Sequence, residues 1–208
     1  MSATKPKAII FDLLTAVLDS WTLWDTSAGS PTLGRTWRMR YLELTYGCGS
    51  YRPYEDLVLQ AARDTNIPDS APAALLENWD KLEPWPEAPG VLRALKEKGY
   101  MLGVITNCSV ELGKTASRRC GIVWDCVLTA EEVGVYKPRK EAYEAIMKEL
   151  GVKAEEAIFV AGSASDVPGA AGVGMMVVWH NRVRLESKSH VQAEREGRRL
   201  DEVLNGLV

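Results

Sequence analysis

Four apolar runs of this chain each end near side chains that could take part in chemistry. Those side chains belong to Asp12, the pair Thr106-Asn107, Lys137 and Asp166. In open α/β sheets, ligands bind outside the carboxyl ends of the parallel strands. If the runs are strands of one such sheet, the side chains meet at one edge. They would form a set of two carboxylates, a cation and a hydroxyl–amide pair.

Asp12 is the candidate nucleophile or metal ligand of this set, because it directly follows the apolar run Ala8–Phe11. An opposite charge within about 4–6 Å lowers the pKa of a carboxyl group by roughly 1–3 units, so Lys137 would keep Asp12 ionised. Asp166 would pair with Lys137 or activate water. Taken singly, these residues also fit ordinary structural positions, as a turn residue, a surface lysine and a helix N-cap. Their occurrence at the ends of successive strands favours the chemical interpretation.

Strands and helices alternate regularly in the second half of the chain, which predicts an α/β fold with a doubly wound, parallel, Rossmann-like sheet. The predicted strands after the first are Tyr100–Thr106, Val123–Leu128, Ala157–Ala161 and, as the last core strand, Met175–Trp179. The predicted helices between them are Gly90–Lys98, Val110–Arg119, Pro138–Leu150 and a short helix from Val167. The charged segment Glu186–Arg199 is expected to be a solvated helix packed on the outside.

The segment after the first strand is mainly helical instead of alternating. Helices are expected at Gly34–Tyr46, Tyr54–Asp64 and Ala73–Leu82, and three prolines between residues 83 and 90 mark a stiff exit. We therefore expect a Rossmann-like core of residues 1–14 and 86–208 and a helical cap of residues 15–85. A cap inserted there would lie over the carboxyl end of the sheet and exclude water from Asp12.

The composition excludes several classes of function. The net charge of −3 over 208 residues argues against a nucleic-acid or anionic-membrane surface. No apolar stretch approaches the roughly 18 residues of a membrane span, and no apolar signal stretch follows the basic N-terminal residues. The four cysteines form no C-x-x-C pair and there are two histidines, so a zinc site is not expected. The number and spacing of the cysteines favour a reducing, cytoplasmic location.

The set of strand-end residues resembles that of the haloacid dehalogenase superfamily, over essentially the whole chain. Within the superfamily it is most similar to the L-2-haloacid dehalogenases. Leu14 stands where the superfamily's phosphatases carry a second Asp, which acts as general acid and base, and Ala161 occupies one of their acidic Mg²⁺-binding positions. The resemblance therefore implies an enzyme that needs no metal and no organic cofactor.

Three further matches support the comparison with the L-2-haloacid dehalogenases. The stretch W-R-M-R-Y-L-E-L from Trp37 resembles their W-R-x-K-Q-L-E-Y, which implies that Arg38 receives the departing halide. Tyr143 follows Lys137 by six residues, as does the tyrosine that lines their site. W-H-N-R from Trp179 resembles their W-x-N-R, and His180 within it is expected to be structural. Without this context, Arg38 would be interpreted as a solvated helix cation and Tyr143 as a core residue.

The chain also departs from the dehalogenase pattern. Leu14 replaces a tyrosine, and Thr15-Ala16 replaces Gly-Thr, so the usual hydroxyl is shifted by one position or lost. The late loop S-S-N-x-W-D becomes A-G-S-A-S-D, so that Ser163 replaces the asparagine that helps to position the hydrolytic water. These changes bear more on the identity of the substrate than on the mechanism.

The mechanism expected from these residues is a two-step hydrolysis. Asp12 attacks C2 of a small 2-substituted carboxylate, and the leaving group departs toward Arg38. Water, oriented by Asp166 and Lys137 with help from Ser163, then hydrolyses the aspartyl ester. The residues assigned to substrate binding are Leu13, Leu14, Thr106, Asn107, Tyr143 and Ser163.

The partner is thus expected to be a small 2-substituted carboxylic acid, with no nucleic acid and no membrane involved. A homodimer is expected from the resemblance, with the Trp- and Tyr-rich cap supplying apolar surface. Three alternatives stay open. They are a hydrolase of another C2 electrophile such as a strained cyclic amino acid, a Mg²⁺-dependent phosphatase, and a non-catalytic binding protein.

Overall fold

The computed structural model describes residues 5–208, and within them six strands form one sheet in which every neighbouring pair is parallel. The strands are β1 (Ala8–Phe11), β2 (Met101–Thr106), β3 (Cys126–Thr129), β4 (Ala157–Ala161), β5 (Met176–His180) and β6 (Arg195–Gly197). Their order across the sheet is β3-β2-β1-β4-β5-β6. The predicted α/β fold with a parallel, Rossmann-like sheet is confirmed.

From β2 onward helices follow most of the strands, whereas five helices lie between β1 and β2, the first four of them before the chain returns to the sheet. Over residues 5–208 the helices are α1 (Ser20–Ala28), α2 (Pro31–Gly47), α3 (Tyr54–Asp64), α4 (Ser70–Glu77), α5 (Ala88–Glu97), α6 (Val110–Arg118), α7 (Ala130–Val133), α8 (Lys140–Leu150), α9 (Asp166–Gly172) and α10 (Leu200–Val203). Within the same residues, none of the helices combines the length and the apolar character needed to cross a membrane.

β1 lies in the middle of the sheet because its four residues are apolar and fit a strand that is buried on both faces. All four are fully buried. Phe11 is in register with Val104 of β2 on one side and Val160 of β4 on the other. The pairing continues for one more bond, since the Asp12 N–H donates to the Val160 carbonyl at 3.0 Å. Asp12 is thereby fixed at the carboxyl end of the central strand.

The chain leaves the sheet for the four helices and returns from them at one place. Leu18 and Pro84 form an antiparallel bridge there. The Asp19 N–H donates to the Glu83 carbonyl at 2.8 Å, and the Trp85 N–H donates to the Val17 carbonyl at 2.9 Å. The outgoing and returning segments are therefore paired to each other. The division into a core of residues 1–14 and 86–208 and a cap of residues 15–85 stays a prediction.

The four helices have an aromatic interior. Neighbouring ring centroids lie 4.5 to 5.6 Å apart along a chain of contacts made by Trp24, Trp37, Tyr41, Tyr54 and Trp79. Aromatic pairs in such edge and tilted arrangements add to the stability gained from burial. These five rings are buried and supply no surface for the expected homodimer, which stays a prediction. The exposed apolar residues of α2 are Leu33, Met39 and Tyr46.

The prediction of a solvated helix over Glu186–Arg199 is also wrong. This segment contains β6, which pairs in parallel with β5 so that Glu196 is in register with Trp179. Met176–His180 is therefore not the last strand of the sheet. Charged side chains are compatible with an edge strand, where one side of the strand faces solvent. Pairing of the backbone with the free edge of β5 decided the structure here, and the sequence pattern does not report such long-range pairing.

Smaller differences concern the ends of elements. The helix predicted at Ala73–Leu82 begins earlier, at Ser70, and α4 ends at Glu77 before a short 3₁₀ turn at Trp79–Lys81. The strand predicted at Val123–Leu128 begins later, at Cys126. Caps and turns at element ends depend on local geometry, which residue periodicity does not define.

Candidate active site

Asp12 caps the turn that follows β1. Leu13–Val17 forms a single π-helical turn, and the Asp12 carboxylate is its N-cap. Oδ2 of Asp12 accepts hydrogen bonds from the Thr15 N–H at 3.0 Å, from the Ala16 N–H at 3.3 Å and from the Thr15 hydroxyl. The hydroxyl that the sequence left either shifted or lost is thus present at the carboxylate, supplied by Thr15. Asp12 is buried, with 6% of its surface exposed.

Lys137 lies between the two carboxylates. Its Nζ is 2.9 Å from Oδ1 of Asp12 and 3.2 Å from Oδ2 of Asp166, and all three side chains are buried. Burial by itself would raise the pKa of Asp12, but the charge of Lys137 and the hydrogen bonds from Thr15 outweigh it and hold that pKa below its usual value. Burial would lower the pKa of Lys137, and the two carboxylates raise it instead. Asp12 is therefore ionised and Lys137 is charged at neutral pH.

Asp166 has the opposite electrostatic character. Its Oδ1 accepts the Tyr143 hydroxyl at 2.8 Å, and its Oδ2 accepts Lys137 and the Ser163 hydroxyl at 3.1 Å. Burial raises its pKa above the usual value, the nearby charge of Asp12 adds to this rise, and Lys137 only partly opposes it. Two neighbouring carboxyl groups with pKa values shifted in opposite directions are suited to different tasks, one as nucleophile and one as base.

Asn107 fixes the backbone of Lys137. Its Oδ1 accepts the Lys137 N–H at 2.8 Å, and its Nδ2 donates to the Lys137 carbonyl at 3.0 Å. Thr106 is fully buried, and its hydroxyl lies 3.7 Å from the sulfur of Cys108. The structure thus brings Asn107 into the cluster through Lys137, whereas the Thr106 hydroxyl contacts Cys108. Their assignment to substrate binding stays a prediction.

Arg38 lies on the buried side of α2, with 4% of its surface exposed. Its Nη2 donates to the Ser20 hydroxyl at 2.8 Å, and the Ser20 hydroxyl in turn donates to the carbonyl of Leu14. The guanidinium lies over the Trp21 ring, 4.1 Å from its centroid. Among residues 5–208, Nε and Nη1 of Arg38 have no hydrogen-bond partner. A buried cation with two free N–H donors is suited to receive an anion.

Arg40 lies two residues further along α2. It is a solvated cation on the helix surface, which was the other interpretation of Arg38. It is partly exposed, and its guanidinium pairs with Asp64 at 2.7 Å and with Glu43 at 3.0 Å. The two arginines therefore differ in environment although they lie in one helix. Helical geometry explains this difference, because residues two apart point to different faces.

Sequence reasoning did not single out Ser20, Ser165 and Tyr46. Ser20 joins Arg38 to the turn that contains Leu14, and Ser165 donates a hydrogen bond to the Tyr46 hydroxyl at 2.5 Å. A serine at the start of a helix is ordinarily explained as a cap, so its type carried no signal. The replacement of a Trp by Ser165 in the late loop was the one available sign.

Glycine at position 162 allows the β4 end to approach the turn after β1. A methyl group on Gly162 would lie 2.7 Å from Oδ2 of Asp12 and would also collide with the Thr15 hydroxyl and the Ala16 nitrogen. These neighbours are held by hydrogen bonds to Asp12 and cannot move without breaking them.

We expect Gly162→Ala to lower the free energy of unfolding by about 1–3 kcal/mol, the usual cost of adding a methyl group to a filled interior. Urea unfolding of the variant and of the parent protein measures the difference. Gly172→Ala is the matched control, because a methyl group there meets no atom within 4 Å. Equal stability of the two variants would contradict the close approach.

No group of three or more His, Cys, Asp or Glu side chains within residues 5–208 is arranged to hold a metal ion. Between Asp12 and Asp166, the ammonium group of Lys137 supplies the positive charge. The chemistry available to these residues is attack by an ionised carboxylate, with a buried guanidinium to receive a leaving anion.

The chain is similar to known proteins in both sequence and fold. A family model described as haloacid dehalogenase-like hydrolase matches residues 16–174. The haloacetate dehalogenase H-2 of Moraxella is 28% identical over 86% of this chain and 87% of its own length. An (S)-2-haloacid dehalogenase of Pseudomonas fluorescens is 30% identical over 75% of this chain and 74% of its own. A solved L-2-haloacid dehalogenase structure superposes with a TM-score of 0.86 at 26% identity, covering 98% of this chain and 99% of that one.

Proposed function

The chain belongs to the haloacid dehalogenase-like hydrolases and is an enzyme of that class, and we propose that it hydrolyses small 2-haloacids with Asp12 as the nucleophile. One observation carries the proposal. The ionised Asp12 carboxylate and the Arg38 guanidinium belong to one buried network, joined through the Leu14–Thr15 peptide group and Ser20, and two N–H donors of that guanidinium are free among residues 5–208. The relatives named for haloacetate and for (S)-2-haloacids support halide as the leaving group.

In the first step, a carboxylate oxygen of Asp12 forms a bond to C2 of the substrate while the bond from C2 to the halogen breaks. The electron pair of that bond leaves with the halide, which the free donors of Arg38 receive. Leu13, Leu14 and Trp21 are buried and apolar. They exclude water, which strengthens the attraction between the guanidinium and the developing anion.

In the second step, water attacks the carbonyl carbon of the aspartyl ester, and Asp166 accepts a proton from that water. The donors that now surround Asp12, from Lys137 and the Thr15 backbone, would stabilise the negative charge on the tetrahedral intermediate. Collapse of the intermediate releases a 2-hydroxy acid and regenerates the Asp12 carboxylate.

A substrate panel tests the proposal. Chloroacetate, bromoacetate and 2-chloropropionate are supplied to the protein, and the release of halide and of the 2-hydroxy acid is followed. We expect both products in equal amounts. The panel includes a strained cyclic amino acid, and p-nitrophenyl phosphate with Mg²⁺. Turnover of one of these without any halide release from the haloacids would replace the proposal by the corresponding alternative.

The two steps should respond differently to acid. Alkylation requires ionised Asp12, whose pKa is lowered, whereas hydrolysis requires ionised Asp166, whose pKa is raised. As the pH falls it passes the pKa of Asp166 first, so hydrolysis fails while alkylation continues. We expect the first-turnover release of halide to persist in this window while the ester accumulates on Asp12, which mass spectrometry of the intact protein detects. Loss of alkylation before hydrolysis would contradict the assignment of the two carboxylates.

A homodimer, a cytoplasmic location and independence of metal and cofactor stay proposals. Light scattering measures the oligomeric state. Activity measured with and without a chelator tests the requirement for metal, and we expect no change.

A further inference from the structure

Ester hydrolysis leaves one proton in the buried site at each turnover, if the reaction follows the proposed function. Alkylation consumes and releases no proton, since a carboxylate displaces a halide. In hydrolysis, the attacking water gives one proton to Asp166, and its second proton passes to the departing alkoxide oxygen of the product. Asp12 returns to its carboxylate form, and the remaining proton is on Asp166. The next turnover requires that this proton leaves.

The hydrogen bonds of Asp166 limit the ways in which its proton can leave. Its neighbours are Tyr143, Lys137 and Ser163. Tyr143 and Lys137 are buried, with 0% and 2% of their surface exposed, and Lys137 is a cation with no acceptor. Ser163 is only half-buried. A hydroxyl both donates and accepts, so Ser163 can take a proton from one side and pass its own to the other.

A chain of hydroxyl groups continues from Ser163 to the surface. The Ser163 oxygen lies 3.2 Å from the Ser165 oxygen, and the Ser165 hydroxyl donates to the Tyr46 oxygen at 2.5 Å. Tyr46 is 39% exposed, the most exposed of the three residues, and together with Ser163 and Ser165 it lines a surface groove of about 740 Å³ between α2 and the loop 184–189. Three hydroxyl groups therefore connect the Asp166 carboxyl group to a groove that is open to water.

We propose that Ser163, Ser165 and Tyr46 form a relay that carries the proton of ester hydrolysis from Asp166 to solvent. Protonated Asp166 gives its proton to the Ser163 oxygen, Ser163 gives its own to Ser165, and Ser165 gives its own to Tyr46. Tyr46 releases its original proton to water in the groove. The transfer leaves the Ser163 hydroxyl donating to the Asp166 carboxylate, as the structure has it, and rotation of the outer hydroxyls restores the bond from Ser165 to Tyr46. Ser165 and Tyr46 are positioning residues for the second step and do not touch the substrate.

Removal of the outer hydroxyls tests the relay. We expect Tyr46→Phe and Ser165→Ala each to lower kcat about tenfold, below the roughly 10²- to 10⁴-fold that a direct general acid or base contributes. Alkylation does not use the relay, so the first-turnover release of halide should keep its rate. The ester on Asp12 should accumulate in the variants at neutral pH, where we expect none in the parent protein, and mass spectrometry of the intact protein measures it. Tyr51→Phe is the matched control, because Tyr51 lies between α2 and α3 outside the relay, and among residues 5–208 its hydroxyl accepts the Tyr54 N–H and makes no other hydrogen bond.

The split between the two steps separates a relay from a merely structural contact between α2 and the late loop. Loss of such a contact would slow alkylation or raise KM, and that result would overturn the relay. Unchanged kcat in both variants without ester accumulation would overturn it as well. If the parent protein releases no halide from any haloacid, the proposed function fails and the relay fails with it. If the parent protein turns over haloacids and both variants have the same rates as the parent protein, the relay fails and the proposed function stands.

Discussion

Asp12→Asn should lower the rate of halide release by about 10⁴-fold or more, in line with the loss seen when a covalent nucleophile is removed. The amide that replaces the carboxylate carries no charge and is a poor nucleophile toward carbon. Lys137 keeps its second partner, because Asp166 lies 3.2 Å from its Nζ. The fold should therefore be retained, and thermal unfolding of the variant checks this. Halide release is followed with chloroacetate and 2-chloropropionate.

Asp56→Asn is the control for this substitution, since Asp56 is exposed on α3 and belongs to no part of the site. It should retain the activity of the parent protein. Steady turnover by a folded Asp12→Asn variant at more than a few per cent of the parent rate would exclude the covalent mechanism. Release of halide by the parent protein at acid pH, with neither an ester on Asp12 nor a slowed second step, would contradict it independently.

Arg38→Met should lower kcat for halide release by about 10²- to 10³-fold, the usual loss when one preorganised donor to a developing anion is removed. The same substitution should leave the free energy of unfolding unchanged or raise it by up to about 2 kcal/mol. Burial lowers the pKa of Arg38 more than Tyr54, Asp12 and the other nearby groups raise it, so the charge is poorly compensated in the folded protein. A buried cation with unpaired donors costs stability, which an apolar side chain of similar length avoids.

Arg40→Met provides the control in the same helix. Arg40 is partly exposed and paired with Asp64 and Glu43, so its loss should change stability by less than about 1 kcal/mol and leave halide release intact. Urea unfolding and halide release are measured for both variants. A fall in the stability of Arg38→Met by more than about 1 kcal/mol would indicate that Arg38 is a structural residue, and full activity would show that it does not receive the halide.

The parallel sheet was predictable from the sequence because its central strands are short, continuously apolar runs that end at polar residues. Ala157–Ala161 was predicted with the ends that β4 has. The segment that became β6 could not be predicted in this way. Its three residues Arg-Glu-Gly carry no strand pattern, and their conformation depends on pairing with β5. Periodicity reports the burial of side chains, whereas an edge strand is held by its backbone.

The residues of the candidate site were predictable to the extent that residue type and position after a strand define a role. Asp12, Lys137 and Asp166 were placed in one cluster by topology alone, and the structure brings them together. The roles of Ser20 and Tyr46 were not predictable, because their side chains contact residues far away in the sequence. Ser20 contacts Arg38, and Tyr46 contacts Ser165. The burial of Arg38 beside the exposure of Arg40 required the packing of α2 against α1 to be known.

The bridge between Leu18 and Pro84 has a consequence for how such a protein can be rebuilt. The outgoing and returning segments are hydrogen-bonded to each other before α1 begins and after α4 ends. The sheet is therefore connected to the helices by the same paired segments, whatever the number of residues between Leu18 and Pro84. We expect that the intervening helices can be exchanged as a unit between relatives that keep the equivalents of Ser20 and Arg38, while β1 and the Asp12 turn stay as they are. Substrate preference could diversify through this unit with the chemistry of Asp12 left in place.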